Sequence, residues 1–396
     1  MDRRRFIQNS AYLAVGTTFV PQLLASCGTD TIKRFRGKRL VLLHLQGGND
    51  GLNTFVPWRN DIYYASRPNL AIAKHELIEL TDELATPVWA QDLADLYFDG
   101  CMALYHNVGS PQPNTSHFKS TDIWHAAFTP NERANPRTGW IGRYLDMASR
   151  KSEVPPSTLA VDASETFSLL LKGENIQGCT IGGLRDFSHF APYLEELYST
   201  CHEHPVASYL QKVRSEAIVA MRTLHQYFSP NAFDYPPSVL GASLAQVASL
   251  IKNGAPTLFF FITQGGYDTH LAQPGRQKRL LSELGAGLKA FVRDLRAAGL
   301  FKDTLVLIYS EFGRRVKENV NMGTDHGVGN TICILSDGLK RAGSCNELPD
   351  LNTLAHRNDV AVHMDFRRVY ATVLEKWLGV PAPSVLPGHF EVLDFV

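Results

Sequence analysis

The sequence predicts an α/β protein with a central, mostly parallel sheet and helices on both faces. Short apolar runs that end in turn residues alternate with longer segments of helical periodicity, and a polar loop follows most of the runs. The 396 residues are enough for one large domain, and no internal repeat divides the chain. We therefore expect a single α/β domain over residues 37–396, with a less regular insertion at about 154–233.

The first predicted strand is Arg39–Leu45, a continuous Leu/Val run that ends at a Gly-Gly-Asn-Asp turn. Within the insertion, the stretches STLAVDA and FSLLLKG are typical of short strands. The other predicted elements are, in chain order, a helix around Val88–Phe98, a strand over Cys101–Val108, a Ser/Thr-capped helix that follows it, helices over Tyr193–Phe228 and Ser238–Asn253, a strand over Thr257–Thr263, a helix over Arg276–Ala298, strands over Thr304–Tyr309 and Thr331–Leu335, and a helix over Asp365–Leu378.

The first 27 residues form a targeting segment rather than part of the fold. The arginine run Arg3–Arg5, followed by Phe6 and a weakly apolar stretch, resembles a twin-arginine export signal. Leu24–Cys27 resembles a lipobox, in which Cys27 is lipidated; the alternative is an ordinary signal with a chance cysteine. The protein is thus expected to use the twin-arginine translocase and to be a periplasmic or outer-envelope lipoprotein, attached to the membrane through its lipid anchor alone.

Composition excludes several classes of partner and site. Lys and Arg number 39 and are balanced by 39 Asp and Glu, so no basic excess points to nucleic acid. The six cysteines are scattered without a CxxC pair, which argues against a thiolate metal cluster. An oxidising compartment would allow a disulfide between Cys333 and Cys345.

Polar clusters follow the predicted strands. Asp50, Asp268 and Glu311 each lie just past a strand, and Ser116 begins the helix after another. Ligands of open parallel sheets bind outside the carboxyl ends of the strands. We therefore expect five loops to converge at one edge of the sheet: GGND, NTSH, GGYDTH, SEFGR and GTDHG.

Each of these residues has a simpler explanation beside the functional one. Asp50 in Asn-Asp-Gly is also good turn chemistry. Glu311 follows an apolar strand, where a carboxylate is costly unless paired, and Arg314 or Arg315 could pair with it. Thr115 or Ser116 could simply cap a helix. The two histidines inside predicted strands, His44 and His106, fit satisfied core residues.

The loop acids and histidines together form an oxygen- and nitrogen-rich ligand set. Asp268 and His270 follow two glycines, and Asp325 and His326 lie between glycines. Such ligands suit one or two divalent metal ions, namely Zn²⁺, Mn²⁺, Mg²⁺ or Ca²⁺. A hydroxyl at a helix N-terminus, from Ser116 or Thr115, adds a nucleophile beside free N–H groups that stabilise an oxyanion.

Six motifs in order resemble the bacterial family known as domain of unknown function 1501. They are LHLQGGNDGLNTFVP, NTSHF, GGYDTH, YSEFGRR, GTDHGVG and DFRRVYATVLEKWLG, and the resemblance covers about residues 37–395. The family is grouped with the alkaline phosphatase and sulfatase superfamily, which implies an alkaline phosphatase-like fold and twin-arginine export.

The resemblance also implies roles for individual residues. Asp50 resembles the first metal aspartate, and Ser116 (or Thr115) the nucleophile at the helix start. Asp268, His270 and His326 resemble the ligands of one metal, and Glu311 takes the place of an aspartate that serves the other.

The chain departs from the superfamily pattern in three ways. Phe312 stands where a phosphatase has a histidine, so the second metal lacks a ligand. Asp268 and His270 are separated by one residue rather than three. No Cys/Ser-x-Pro-x-Arg signature surrounds Ser116, which argues against a formylglycine sulfatase.

The sequence therefore predicts a metal-dependent hydrolase of phosphate, or related sulfate or phosphonate, esters, acting on a small-molecule or envelope-polymer substrate. Arg314 is the predicted holder of substrate oxyanions. A single-metal phosphodiesterase or phosphomonoesterase fits the departures. The alternative is a non-catalytic binding or assembly protein of the cell envelope on a phosphatase-like scaffold.

Overall fold

The computed structural model describes residue 35 and residues 37–149, 154–164, 168–181, 205–230, 233–355 and 358–396, with the backbone alone for 205–214. The predicted signal with Cys27 lies outside these residues, and so does the first part of the helix predicted over 193–228. Those predictions stay predictions.

Thirteen strands are formed by the described residues. Nine belong to one sheet, and four form two small hairpins. The strands are β1 Arg39–Leu45, β2 Leu77–Glu79, β3 Ala85–Pro87, β4 Met102–Gly109, β5 Ala160–Asp162, β6 Cys179–Thr180, β7 Phe259–Gln264, β8 Thr304–Tyr309, β9 Arg314–Glu318, β10 Thr324–His326, β11 Asn330–Leu335, β12 Gly343–Ser344 and β13 Met364–Asp365.

The main sheet has the order β12-β4-β11-β8-β1-β7-β5-β6. β13 pairs with the end of β4, at Val108 and Gly109, whereas β12 pairs with β4 at Ala103 and Leu104. β1 lies at the centre, parallel to β7 on one side and to β8 on the other. β11 is antiparallel to both of its neighbours, β4 and β8. The remaining pairs are parallel, so β11 alone among these strands runs against the others. The predicted mostly parallel sheet is confirmed.

Helices cover both faces of this sheet. They are α1 Gly51–Thr54, α2 Asp61–Ser66, α3 Gln91–Phe98, α4 His117–Ala126, α5 Trp140–Ala148, α6 Pro205–His225, α7 Val239–Lys252, α8 Gln273–Ala297 and α9 Arg367–Thr372. A π-helical turn, Val373–Trp377, extends α9. Short 3₁₀ turns are Lys74–Glu76, Val88–Ala90, Pro156–Leu159, Leu169–Leu171, Phe301–Asp303 and Ala382–Ser384.

The alternation of side chains along β1 shows how the two faces are filled. Val41, Leu43 and Leu45 join a core with residues of α3, α7 and α8. Leu40 and Leu42 point to the opposite face and join a core with residues of α4, α5 and α9. A strand buried on both faces reads as a continuous apolar run, which is why Arg39–Leu45 was predictable.

One predicted element differs in kind from the structure, and several differ at their ends; for example, the strand predicted over Thr257–Thr263 is Phe259–Gln264. The stretch FSLLLKG contains a 3₁₀ turn, Leu169–Leu171, because the Ser168 side chain accepts the Leu170 N–H and starts a turn there. The late helix begins at Arg367 rather than Asp365, because Asp365 belongs to β13 and its carboxylate accepts the Arg367 N–H.

The less regular segment contributes to the sheet. β5 pairs in parallel with β7, and β6 pairs with β5. The short strand predicted at STLAVDA is therefore confirmed as Ala160–Asp162.

The disulfide allowed for Cys333 and Cys345 is not formed. Both are buried free thiols, as are Cys101 and Cys179. Within the described ranges, every helix is either too short or too polar to cross a bilayer.

Candidate metal centre

The loops that the sequence analysis placed together do converge at one edge of the sheet. The Gly47 N–H, after β1, donates to the Glu311 carboxylate after β8 over 2.9 Å. His117, after β4, donates to the same carboxylate, and Asp268, after β7, lies against His326. His326 precedes β11, so the reversed direction of β11 is what brings this loop to the edge where the other strands end.

Among the described residues, His117, Asp268 and His326 form a group whose candidate ligand atoms lie within 4.8 Å of one another. Oδ1 of Asp268 is 3.5 Å from Nε2 of His117 and 3.3 Å from Nε2 of His326. His270 adjoins the group, with its Nε2 3.1 Å from Asp268 Oδ1 and 2.8 Å from His326 Nε2. The structure thus unites three predicted ligands, Asp268, His270 and His326, and adds His117.

Hydrogen bonds on the far side of two rings fix their tautomers. Nδ1 of His117 lies 2.7 Å from Glu311 Oε1, and Nδ1 of His326 lies 2.7 Å from the Thr115 carbonyl oxygen. A carboxylate and a carbonyl only accept, so each Nδ1 carries a proton. In the neutral rings, both Nε2 lone pairs then face Asp268. This is the arrangement in which metal-binding histidines are held by an outer partner.

An unpartnered atom tests whether a cation suits this group. Nε2 of His117 is buried and has no hydrogen-bond partner, although Asp268 Oδ1 is close to it. Lone pairs that converge on a carboxylate repel unless a positive charge, a proton or a metal ion, lies between them. Two imidazoles and one carboxylate are the ligand set of an open zinc-type site, so the residues present fit a divalent metal.

Glu311 was predicted to be a metal ligand, and the structure places it behind His117 instead. Its two oxygens accept from His117 and from His44 Nε2, the latter over 3.0 Å, and from the Gly47 N–H. Burial alone would raise the pKa of this carboxyl, but the hydrogen bonds from the two histidines hold it well below its usual range. Glu311 is therefore an ionised support that orients His117, whose pKa it raises.

Asp325 plays a similar part behind His270. Its Oδ1 lies 3.3 Å from His270 Nδ1 and accepts from Asn319 Nδ2 over 3.2 Å. Burial would raise the pKa of Asp325, but these hydrogen bonds, that from Asn319 first, lower it overall. The predicted ligand Asp325 is thus found as the outer partner of a histidine.

Asp50 is not brought into the group. Its Oδ2 accepts from Arg67 Nη1 over 2.6 Å and from Gln273 Nε2 over 2.5 Å, and the pair with Arg67 is completely buried. Oδ1 of Asp50 is buried without a hydrogen-bond partner. The prediction of a direct metal ligand is corrected: an arginine already supplies the positive charge that this carboxylate needs.

The prediction that Arg314 holds substrate oxyanions is also corrected. Its side chain is fully buried, and its nitrogens donate to backbone carbonyls and to Asp268 Oδ1, the last over 2.8 Å. The carbonyl partners belong to Gly47, Gly48, Tyr267 and Thr324. Burial would raise the pKa of Asp268, but the hydrogen bond and charge of Arg314, together with His326 and His270, lower it to about 2. Arg314 ties the loops together and leaves no face for a substrate.

Ser116 and Thr115 lie beside the group. Thr115 accepts from His326 through its backbone, and Ser116 is followed directly by His117. Ser116 is exposed and occupies the N-cap position of α4, yet its side chain makes no capping hydrogen bond. The simple capping role is therefore not what its hydroxyl does here.

Phe312 forms a wall of the group rather than a ligand. Its ring lies 4.8 Å from the His117 ring and 4.7 Å from the His326 ring, measured between centroids. His117 was missed by the sequence reasoning, which concentrated on the hydroxyl next to it. The signal that could have revealed it was a histidine in the first turn of the helix after β4, at the edge where the other ligands end.

His44 and His106 are satisfied core histidines, as predicted. His44 is bonded to Glu311 and stacks on Tyr309, with ring centroids 5.0 Å apart. Both ring nitrogens of His106 have hydroxyl partners, on Thr331 and Ser344.

Comparisons with known proteins agree with the family resemblance. The model of a family described as a protein of unknown function, DUF1501, matches residues 248–380, which carry Asp268, His270, Glu311 and His326. The resemblance is thereby confirmed over this third of the chain. A comparison with curated proteins finds no match.

Several solved structures are similar to this chain at low identity. The lipoteichoic acid synthase LtaP from Listeria monocytogenes has a TM-score of 0.43 and 10% identity, covering 91% of this chain and 76% of that one. The sulfatase PsFucS1 from Pseudoalteromonas sp. has 0.39 and 12%, covering 98% and 74%. A phosphonate monoester hydrolase of Agrobacterium radiobacter has 0.40 and 9%, covering 89% and 78%.

Proposed function

We propose that this protein is a metal-dependent hydrolase of phosphate or related esters, with one catalytic divalent ion. The observation that carries the proposal is the half-exposed group of His117, Asp268 and His326, in which two histidines are fixed with their Nε2 lone pairs facing one carboxylate. A ligand set of two imidazoles and one carboxylate favours Zn²⁺ or Mn²⁺ over Ca²⁺ and Mg²⁺.

His117, Asp268 and His326 would hold the ion, with His270 beside them. When bound, the ion supplies positive charge that polarises the ester oxygen and lowers the pKa of a nearby hydroxyl or water. Glu311 and the Thr115 carbonyl keep the two histidines in the protonation state and orientation that this requires.

Ser116 is the nucleophile in this proposal. Its Oγ forms a bond to phosphorus while the bond from phosphorus to the leaving ester oxygen breaks, and the serine proton ends on the released alcohol. Water then attacks the phosphoserine, which restores the hydroxyl and releases phosphate. Free N–H groups in the first turn of α4 are placed to stabilise the anionic oxygens of the transferred group.

The test is the Ser116→Ala variant with Zn²⁺ or Mn²⁺ supplied. Turnover of p-nitrophenyl phosphate, bis(p-nitrophenyl) phosphate, a p-nitrophenyl phosphonate and p-nitrophenyl sulfate is measured beside metal content. We expect at least one ester to be hydrolysed and its turnover to fall roughly 10³-fold in the variant, with metal content unchanged. The matched control Ser384→Ala changes an exposed serine elsewhere and should keep full turnover. Equal turnover in wild type and Ser116→Ala would reject the nucleophile.

One observation favours the non-catalytic alternative. Arg67 neutralises Asp50, and Arg314 is committed to the backbone, so the site has fewer free groups than the sequence predicted. Stoichiometric metal with no turnover of any of the four ester classes would make a metal-containing binding protein of the cell envelope the better description.

The export predictions belong to the same proposal. We propose that the twin-arginine segment carries the protein out of the cytoplasm and that Cys27 is its lipid attachment site. A Cys27→Ala variant should move from the membrane fraction to the soluble fraction, and membrane retention of the variant would reject the anchor.

A further inference from the structure

Four exposed apolar side chains lie next to the candidate metal centre in the chain. Phe118 is 85% exposed, Leu271 58%, Val320 99% and Met322 48%. Phe118 directly follows His117, and Leu271 directly follows His270. We call these four residues the apolar rim.

Val320 and Met322 come from the tip of the β9–β10 hairpin, which lies on the loop that carries His270. The Gln273 N–H donates to the Met322 carbonyl over 2.9 Å. Asn319 Nδ2 donates to the His270 carbonyl over 2.9 Å. The hairpin tip with Val320 and Met322 is therefore bonded to the segment that contains Leu271.

Close packing restricts the backbone conformation of this hairpin tip. Gly323 lies so close to His270 that a Cβ there would collide with the His270 carbonyl group. Met322 and Ala272 have positive φ angles of 54° and 48°, a region that residues with a side chain rarely occupy. The backbone of the hairpin tip is therefore held closely against the segment that carries His270.

Phe118 belongs to a different segment, the first turn of α4. His117 and His270 both approach Asp268 Oδ1, at 3.5 Å and 3.1 Å. The residues that follow these two histidines, Phe118 and Leu271, therefore belong to two different segments that both reach the carboxylate through a histidine. Exposed apolar side chains thus come from both of the segments whose histidines approach Asp268.

Single exposed apolar residues are normal on a protein surface and need no explanation. Here, four of the ten exposed large hydrophobic side chains of the described residues belong to the segments that carry the histidines of one polar centre. We propose that the apolar rim binds the non-reacting part of the substrate, and that the substrate is an amphiphilic ester with an anionic head and an alkyl chain. This inference rests on the proposed function for the identity of the head group.

The first experiment varies chain length while the reacting group stays constant. The protein loaded with Zn²⁺ or Mn²⁺ is given p-nitrophenyl alkylphosphonates from methyl to octyl, below the concentration at which they form micelles. Each methylene buried against the rim should raise kcat/KM roughly two- to fourfold, mainly through KM. In the double variant Leu271→Ser/Met322→Ser, the ratio of octyl to methyl kcat/KM should fall at least tenfold.

The matched controls are Phe98→Ser and Val239→Ser, which change exposed apolar residues that lie elsewhere in the chain. They should keep the wild-type ratio. A flat chain-length series in the wild-type protein would overturn the inference while leaving the hydrolase proposal standing.

A binding measurement separates the two proposals. Calorimetry with methyl- to octylphosphonic acid reports affinity without turnover. Affinity that rises with chain length and depends on the rim, in a protein that hydrolyses nothing, would uphold the inference and reject the hydrolase.

Sedimentation with phosphatidylcholine vesicles tests whether the apolar rim binds a lipid bilayer instead of a single substrate molecule. Rim-dependent vesicle binding together with a flat monomeric series would mean that the rim contacts a bilayer, which would overturn the inference. Vesicle binding that is the same in wild type and double variant, with a rising monomeric series, would support it.

Discussion

Two carboxylates at the same edge of the sheet have opposite surroundings. The Asp50 side chain is 1% exposed and its partner Arg67 is fully buried, whereas the Asp268 side chain is 49% exposed and faces the three histidines. Both follow a strand and a pair of glycines in the sequence. Both carboxylates have an arginine partner, Arg67 for Asp50 and Arg314 for Asp268, so the difference is that Asp50 is enclosed while Asp268 keeps a side open to histidines and solvent.

The comparison shows why residue type and position do not by themselves predict a ligand. A buried carboxylate that already has an arginine at 2.6 Å gains little from a metal, because displacing the arginine would leave a buried cation unpaired. Asp268 also has an arginine, Arg314 at 2.8 Å, but its side chain is 49% exposed, so a cation can approach it from the histidine side without displacing that arginine. Asp50 is therefore a closed structural site and Asp268 an open one.

The largest expected effect breaks the closed site. Arg67→Met removes the guanidinium that pairs with Asp50 and donates to the Val316 and Arg315 carbonyls. We expect the free energy of unfolding to fall by about 3–5 kcal/mol, because a buried charge is left unpaired. Urea unfolding at neutral pH measures it.

The control for this prediction is the exposed pair of Arg59 and Asp82. Its atoms are 3.9 Å apart, and Arg59→Met should cost under about 1 kcal/mol. A loss of similar size in the Arg67 and Arg59 variants would contradict the closed-site description.

A second prediction uses another closed polar group, His106, which has hydroxyl partners and no carboxylate. Burial lowers its pKa from 6.5 to about 4. Since the folded pKa lies below the unfolded one, its contribution is complete above pH 6.5 and is lost as the pH falls towards 4. The wild-type protein should lose up to about 3 kcal/mol more over this range than His106→Gln.

Urea unfolding at a series of pH values tests this difference, and His75→Gln, an exposed histidine, serves as the control. Parallel pH curves for wild type and His106→Gln would show that the histidine titrates normally.

The third prediction sharpens the open site. An ion that binds the folded protein alone stabilises it by about 2.7 kcal/mol at a free concentration one hundred times its dissociation constant. Chelation should therefore lower the unfolding temperature of the wild type and of His75→Ala, but leave His326→Ala unchanged. Differential scanning calorimetry with and without chelator measures this. If chelation lowered the unfolding temperature of His326→Ala as much as that of the wild type, the ion would be bound by other residues.

The smallest effect separates two serines at helix starts. Ser238 accepts the Gly241 N–H at the start of α7, whereas Ser116 makes no capping bond. Ser238→Ala should cost about 1 kcal/mol of stability, and Ser116→Ala close to none. Chemical unfolding of the metal-free variants compares them. An equal loss in the free energy of unfolding would show that Ser116 has a structural, helix-capping role.

The sequence by itself determined the elements and the loops that carry the chemistry. The apolar runs of β1, β7 and β8 are buried on both faces and could be read directly, and the polar residues after them had to lie at one edge of a parallel sheet. Asp268, His270 and His326 were identified in this way, since exposed loop residues between glycines have few structural reasons to be acids and histidines.

Only the tertiary structure decided which residues share a partner. Arg67 reaches Asp50 from a loop after α2, and Glu311 reaches His117 across the sheet edge, contacts that no local pattern specifies. The reversed β11 placed His326 at the edge where the parallel strands end, although the order of elements is equally compatible with a parallel strand. Local sequence sets backbone preference and burial, but charge pairing depends on distances between segments far apart in the chain, and those arise only when the sheet is assembled.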